Sequence, residues 1–370
     1  MNNDTPTPPA NDSPSDGETD GPSRATQREA IRHFDFVDAF KPHPIWRGGL
    51  LQTLSIKMIR SELDPPNDPR CQSFDLDDDQ TPPDTMSGYY LQTESNSNGD
   101  GRPMPTVVVL HGMGGHALSG YMLSAAETFL SNGYRVLLWN NRGAGGSARR
   151  CKRLHHPGYT DDLRRLFKHL SEHHPDWIDS GMFALAFSLG ANLLLKYMGE
   201  TGRDCPLDGA AVVSAPIDLQ STSTNLRSGA NRLFDRYLLY KQRQELMRPS
   251  AGLDDADRDR VSSASSVWEL DDAFTAPRFG YDSATDFYKH NSAGPFVGDI
   301  TKPTLLIHAQ DDPVVTMESF QTQPFNEGGP LFPALLPTGG HTGFYASDGT
   351  RWHETVAIDF ARWVFDDDRG

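Results

Sequence analysis

Cysteine is scarce: Cys71, Cys151 and Cys205 are the only three in 370 residues. They are too far apart for a disulfide framework or a Cys-x-x-Cys metal site, and they suit a reducing compartment. Basic charge is also short, with 34 Lys plus Arg against 50 Asp plus Glu and a formal net charge of −16. That balance supplies no general attraction for phosphates, so neither nucleic acid nor an anionic membrane surface is expected as a partner. No apolar run approaches the roughly 20 residues of a spanning helix. Met1 to Arg24 lacks the apolar centre of a secretory signal. The expectation is a soluble, cytoplasmic protein with no transmembrane segment; these features leave its oligomeric state open.

Residues 1–25 are almost wholly Asn, Asp, Thr, Pro, Ser and Gly. Such a stretch cannot bury enough apolar surface to offset its chain entropy, and it reads as a disordered, acidic, Pro-rich tail. Aromatic and aliphatic residues begin near Phe34, and Gly48-Gly-Leu-Leu-Gln-Thr-Leu54 leads into an apolar stretch ending near Ile59. The body then repeats one pattern. Strand-like runs at Thr106–Leu110, Tyr134–Trp139, Met182–Ala186 and Gly209–Ser214 alternate with helix-like stretches at Ser119–Asn132, Thr160–Glu172 and Leu189–Gly199. Thr304–Ala309 and Ala334–Leu336 are again strand-like. Short apolar strands alternating with amphipathic helices predict a mainly parallel sheet covered on both faces. Between Pro216 and Thr301 the rhythm stops. That stretch holds a helix-like segment, Ala230–Met247, and an aspartate-rich turn, Asp254-Asp-Ala-Asp257, and is expected to be a partly helical cap inserted between two strands.

The most informative residues are Ala186-Phe-Ser-Leu-Gly190, which follow the apolar run Met182-Phe-Ala-Leu185 and open a helix. A strand, a sharp turn and a helix expose a serine hydroxyl, and small residues two positions to either side let strand and helix approach. Ser188 is therefore the candidate nucleophile. The backbone N–H of Leu189 lies at the start of the following helix, where the dipole favours a developing negative charge.

Leu110-His-Gly-Met-Gly-Gly115 follows the strand Val107-Val-Val-Leu110. By position, Met113 offers a second backbone N–H to an oxyanion. A dinucleotide-binding loop also places glycines after a strand, but it expects an acidic residue ending the next strand. That strand ends Leu138-Trp-Asn-Asn141, without one. His111 is open to two readings, as a base or as a structural hydrogen-bond partner, with the second favoured. Asn141-Arg-Gly-Ala-Gly-Gly-Ser147 lacks the Gly-Lys-Ser/Thr ending of a phosphate loop and reads as a tight turn.

A serine hydroxyl needs a histidine to take its proton and a carboxylate to fix the imidazole. The strand Thr304-Leu-Leu-Ile-His308 runs into Ala309-Gln-Asp-Asp-Pro-Val-Val315, where Asp312, next to Pro313, is the preferred acid and Asp311 the alternative. Downstream, Pro337-Thr-Gly-Gly-His-Thr-Gly-Phe344 sets His341 in a glycine-flanked loop. The chain order Ser, Asp, His fits one family of serine hydrolases. His155-His156 and His173-His174 lack the spacing of a zinc helix and are expected to be solvated surface histidines. No metal or cofactor is implied.

With these residues in hand, the chain resembles the YheT-like branch of the α/β-hydrolases, which includes the ABHD-type hydrolases of animals. The resemblance rests on Gly49-Leu-Leu-Gln-Thr-Leu54, Leu110-His-Gly-Met-Gly-Gly115, Phe187-Ser-Leu-Gly-Ala-Asn-Leu-Leu-Leu-Lys-Tyr197, Ser214-Ala-Pro-Ile-Asp-Leu219, Asn231-Arg-Leu-Phe-Asp-Arg-Tyr237 and Gly339-Gly-His-Thr-Gly-Phe344. Members usually have Gly where Ala186 and Ala191 stand, and Asn-Pro-His-Leu-Gln-Thr where this chain has Arg47-Gly-Gly-Leu-Leu-Gln-Thr53. The resemblance implies an α/β-hydrolase fold: a mostly parallel central sheet, helices on both faces and a partly helical cap. The expected divisions are a tail at 1–25, core at 26–215, cap-like insertion at 216–301 and core again at 302–370. It implies a carboxylic ester hydrolase working through an acyl-serine, with Ser188, Asp312 and His341 catalytic and Met113 and Leu189 as oxyanion donors. The expected partner is a small ester with an apolar acyl group, either short to medium or a lipid. The alternatives are an alcohol O-acyltransferase using the same triad and a non-catalytic binding protein of the same fold.

Overall fold

The computed structural model describes residues 40–92, 104–323 and 329–366. The tail expected at 1–25 lies outside them. Eight strands form one sheet in the order β1-β2-β4-β3-β5-β6-β7-β8. They are β1 (Cys71–Asp77), β2 (Thr85–Leu91), β3 (Thr106–Leu110), β4 (Arg135–Trp139), β5 (Met182–Phe187), β6 (Gly209–Val213), β7 (Thr304–Ala309) and β8 (Leu331–Leu336). From β4 to β8 every neighbouring pair is parallel, whereas β1 with β2 and β2 with β4 are antiparallel.

Period-two alternation decides which helix each strand residue meets. In β3, Val108 and Leu110 face a layer with Leu163, Leu166 and Leu170 of α3 (Asp161–His173) and Leu194 of α4 (Leu189–Thr201). Val107 and Val109 face the other way, onto Met122 and Phe129 of α2 (Gly120–Ser131) and Ile358 and Phe360 of α9 (Trp352–Val364). All five residues of β3, β4 and β6 are buried, which accounts for their continuous apolar runs.

The β1–β2 hairpin was not evident in the sequence. It is tied to the core by Arg142, which follows β4 and donates to Asp78 (2.7 Å), Asp84 (2.8 Å) and Asp162 (2.5 Å). All four side chains are almost fully buried, and Arg153 adds a second cation at 3.1 Å from Asp78 and 3.4 Å from Asp84, so the cluster is an ion-pair network rather than a set of isolated buried charges.

Among the described residues, no strand lies between β6 and β7. That stretch holds α5 (Leu219–Leu226), α6 (Arg232–Leu246), α7 (Asp255–Ser263), a π-helical turn at Asp271–Thr275 and α8 (Ala284–Asn291). It has a small core of its own around Leu239, Leu246, Val261, Leu270 and Phe274. The aspartate-rich stretch is not a turn. Asp254 caps α7, its carboxylate accepting the Asp257 N–H at 2.8 Å, and Asp255 and Asp257 fall in the first turn, where the helix dipole favours acids.

Candidate active site

The strand order reverses at β3, whose neighbours β4 and β5 lie on opposite sides. Chains leaving β3 and β5 therefore diverge and leave a crevice at the strand ends. Ser188 sits there, between β5 and α4, with φ 50° and ψ −121°. This left-handed backbone is costly for a residue with a side chain and is held by the Ser188 N–H donating to Val213 O at 2.9 Å. Gly190 permits the close approach of α4, since a Cβ there would lie 2.3 Å from His111 O.

The Ser188 Oγ is 2.8 Å from His341 Nε2, and His341 Nδ1 is 2.9 Å from Asp312 Oδ2. The Asp312 carboxylate is fully buried. Burial alone would raise its pKa, but His341 and the N–H groups of Val314 (2.7 Å) and Val315 (3.0 Å) outweigh burial and hold it below the usual carboxylate value. Asp311 points elsewhere. Its carboxylate accepts from Thr338 Oγ1 (2.5 Å) and from the N–H groups of Gly339 and Gly340 (both 2.9 Å), anchoring the turn that precedes His341.

The histidine loop is secured from two further directions. The His341 N–H donates to Thr53 Oγ1 at 2.8 Å, and the Thr342 N–H donates to Ser214 Oγ at 3.0 Å. Thr53 belongs to α1 (Gly49–Ser55), where buried Gln52 donates to Tyr345 O (3.1 Å) and accepts from the Tyr345 N–H (2.7 Å). Arg351 closes the same corner by donating to Ser55 Oγ (2.7 Å) and Gly343 O (3.2 Å). Only Gly fits at position 49, because a Cβ would fall 1.6 Å from Asp311 O. Thr53, Ser214 and Asp311 were not read as supports of the loop from sequence. Their partners are backbone N–H groups, which leave no spacing signature.

His111 is a structural partner in this geometry. Its Nε2 accepts the Asn141 N–H at 3.1 Å, so the proton is on Nδ1, which donates to Gly112 O at 2.8 Å. Burial lowers its pKa to about 4, keeping the ring neutral. In a trans peptide the Met113 N–H points opposite to the clamped Gly112 carbonyl. Neither the Met113 nor the Leu189 N–H has an acceptor among the described residues. Gly112 packs directly on the serine: a Cβ there would be 3.0 Å from Ser188 Cβ.

Ser188, His341 and Met113 open into a cavity of about 810 Å³. Its far wall comes from the segment between β6 and β7, including Leu219, Leu226, Phe234, Leu238 and Phe279. His155 and His156 correct the expectation of surface histidines: both line this cavity. His156 packs on Phe279 (4.4 Å between ring centroids), and burial lowers its pKa to about 4. His173 is exposed as expected, and His174 stacks on Trp177 at 3.8 Å. Among the described residues, no three His, Cys, Asp or Glu side chains gather as a metal-ligand group. Nor is any helix there long and apolar enough to cross a membrane.

A family model described as serine aminopeptidase, S33, matches residues 101–323. Among curated proteins, YheT of Escherichia coli (strain K12) is 32% identical over 69% of this chain and 74% of its own length. Phospholipase ABHD3 of Mus musculus is 28% identical over 70% of this chain, and the monoacylglycerol lipase of Saccharomyces cerevisiae 25% identical over 76%. The chain spans 61% and 63% of these last two, respectively. Among solved structures, the Pyrococcus furiosus esterase Pf2001 aligns with TM-score 0.52 and 18% identity over 83% of this chain and 98% of its own. A soluble variant of the Saccharomyces cerevisiae monoglyceride lipase gives TM-score 0.51 and 16% identity over 84% and 99%. The chain belongs to the α/β-hydrolases. Within them it belongs to the YheT-like branch, as the motifs around Ser188 and His341 implied.

Proposed function

We propose that the protein hydrolyses carboxylic esters through an acyl-serine intermediate. The observation that carries this reading is the unbroken relay from Ser188 Oγ through His341 to Asp312, at 2.8 and 2.9 Å. His341 takes the hydroxyl proton as Ser188 Oγ attacks the ester carbonyl, and Asp312 stabilises the imidazolium. The oxyanion of the tetrahedral intermediate accepts from the Met113 and Leu189 N–H groups. As the intermediate collapses, the ester C–O bond breaks and the alcohol leaves with the proton held by His341. Water then attacks the acyl-serine with His341 again as base, and the acid is released.

The segment 216–301 acts as a cap in this reading, and its apolar wall suits an apolar acyl chain, either medium or from a lipid. The relatives named as esterase, phospholipase and monoacylglycerol lipase support the same reaction class. Fluorophosphonate labelling tests it: the wild type should become covalently modified and Ser188→Ala should not. An unlabelled, folded wild type would overturn the proposal.

A further inference from the structure

Every large apolar side chain that is exposed among the described residues lies in one of two segments. Ile45, Leu50, Leu51, Leu54 and Met58 belong to residues 41–60, and Leu233, Tyr237 and Tyr240 belong to α6. Ile45 is 72% exposed, Leu233 70% and Met58 60%. Scattered exposed apolar residues need no explanation, but confinement of all of them to one place does.

The place is the mouth of the cavity. Leu50, Leu54 and Lys57 from one segment and Leu233, Tyr237 and Lys241 from the other all line it. The segments touch across the opening, where Lys57 Nζ lies 4.3 Å from the centre of the Tyr237 ring.

Charge is distributed just as unevenly. Residues 41–60 carry Lys41, Arg47, Lys57 and Arg60 and no carboxylate, in a chain of net charge −16. On α6, Arg232 and Arg236 are exposed, while Asp235 is buried and accepts the Val267 N–H at 3.2 Å. Glu245, the acid of α6 that lines the cavity, faces inward with its pKa raised by burial to about 7. The rim is therefore locally basic within a chain whose net charge is −16.

We propose that residues 41–60 and α6 form a docking surface for an anionic lipid bilayer, with the cavity mouth facing the lipid. Apolar side chains would enter the headgroup boundary, and the basic side chains around them would meet anionic headgroups. The other surfaces, carrying the excess carboxylates, would be repelled, and this fixes the orientation. The inference stands whether or not the chemistry at Ser188 is ester hydrolysis.

The test is flotation of the full-length chain with vesicles of phosphatidylcholine alone or mixed with phosphatidylglycerol. Binding is expected to the mixed vesicles, to weaken as salt is raised, and to be much weaker on phosphatidylcholine alone. The double variant Arg47→Glu/Arg236→Glu should lose at least ~30-fold in affinity for mixed vesicles. Ile45→Ser/Met58→Ser should also bind more weakly, and none of these four positions lines the cavity. Circular dichroism and turnover of a water-soluble short-chain ester should be unchanged in both variants. Absence of binding to mixed vesicles at low salt, or equal binding by wild type and both variants, would overturn the proposal. So would sedimentation showing a dimer that the same substitutions dissociate, which would assign the face to a second copy. Loss of ester turnover in the wild type with vesicle binding intact would instead count against the proposed chemistry.

Discussion

Thr53 Oγ1 accepts the backbone N–H of His341 at 2.8 Å, joining residues 288 positions apart. The same hydroxyl donates to Gly49 O at 2.6 Å, so its lone pair is aimed at the histidine by a bond within its own helix.

Replacing Thr53 by Val keeps the shape and removes the acceptor. The His341 N–H is then unpaired and the imidazole loses part of its alignment. Expected is a fall of about 10-fold in kcat with KM little changed, the loss of one buried hydrogen bond. Thr53→Ser should retain most of the activity. Steady-state kinetics on both variants decides it.

The two adjacent aspartates should separate cleanly by readout. Asp312→Asn removes the charge facing His341 and should lower kcat by about 10³–10⁴-fold, as loss of the orienting carboxylate does in serine hydrolases. Asp311→Asn weakens the anchoring of Gly339 and Gly340 and should lower kcat by only about 10-fold, together with a lower Tm. Equal kinetic defects would contradict the separate roles.

Arg142 holds three buried carboxylates. Arg142→Met leaves Asp78 and Asp84 to the part-exposed Arg153 and Asp162 to Arg165 at 3.8 Å, and should destabilise the fold by about 3–5 kcal/mol. Urea denaturation followed by fluorescence measures this. Unchanged stability would mean that water or neighbouring groups satisfy the acids.

Glu354 is buried on α9, where its Oε2 meets the Thr128 hydroxyl at 2.7 Å, and burial raises its pKa to about 7. The unfolded chain ionises this group near 4.3. Below that pH both states are protonated and the full stability is present. As pH rises towards 7 only the unfolded state ionises, so stability falls by about 1.4 kcal/mol per pH unit across that window. Glu354→Gln should remove this slope, raising Tm at pH 8 relative to wild type and leaving it nearly unchanged at pH 4.

The parallel strands were legible because burial on both faces writes an unbroken apolar run, as in Val107-Val-Val-Leu110. The hairpin was not. In β1 only Phe74 and Leu76 are buried, and Gln72, Ser73, Asp75 and Asp77 are the exposed polar residues of an edge strand. In β2, Gly88 interrupts the pattern because a Cβ there would strike the Phe74 ring at 2.4 Å. Ser188, Asp312 and His341 could each be placed at a strand end, so topology brings together what the order of motifs suggested. His155 and His156 could not be read this way. Both line the cavity, and His156 is covered by Phe279, more than a hundred positions downstream; a His-His pair carries no mark of that cover.

Gly49 lies against Asp311, and Thr53 against His341, so the first helix and the last loop share one mould. A chain trimmed to the matched span 101–323 would keep Ser188 and Asp312 yet lose His341, whose Nε2 lies 2.8 Å from the serine hydroxyl. It would be a cradle without a motor. Exchanging the first sixty residues with those of a relative would transplant half of the histidine's seat, and such chimaeras should recover turnover only when residues 338–345 travel with them.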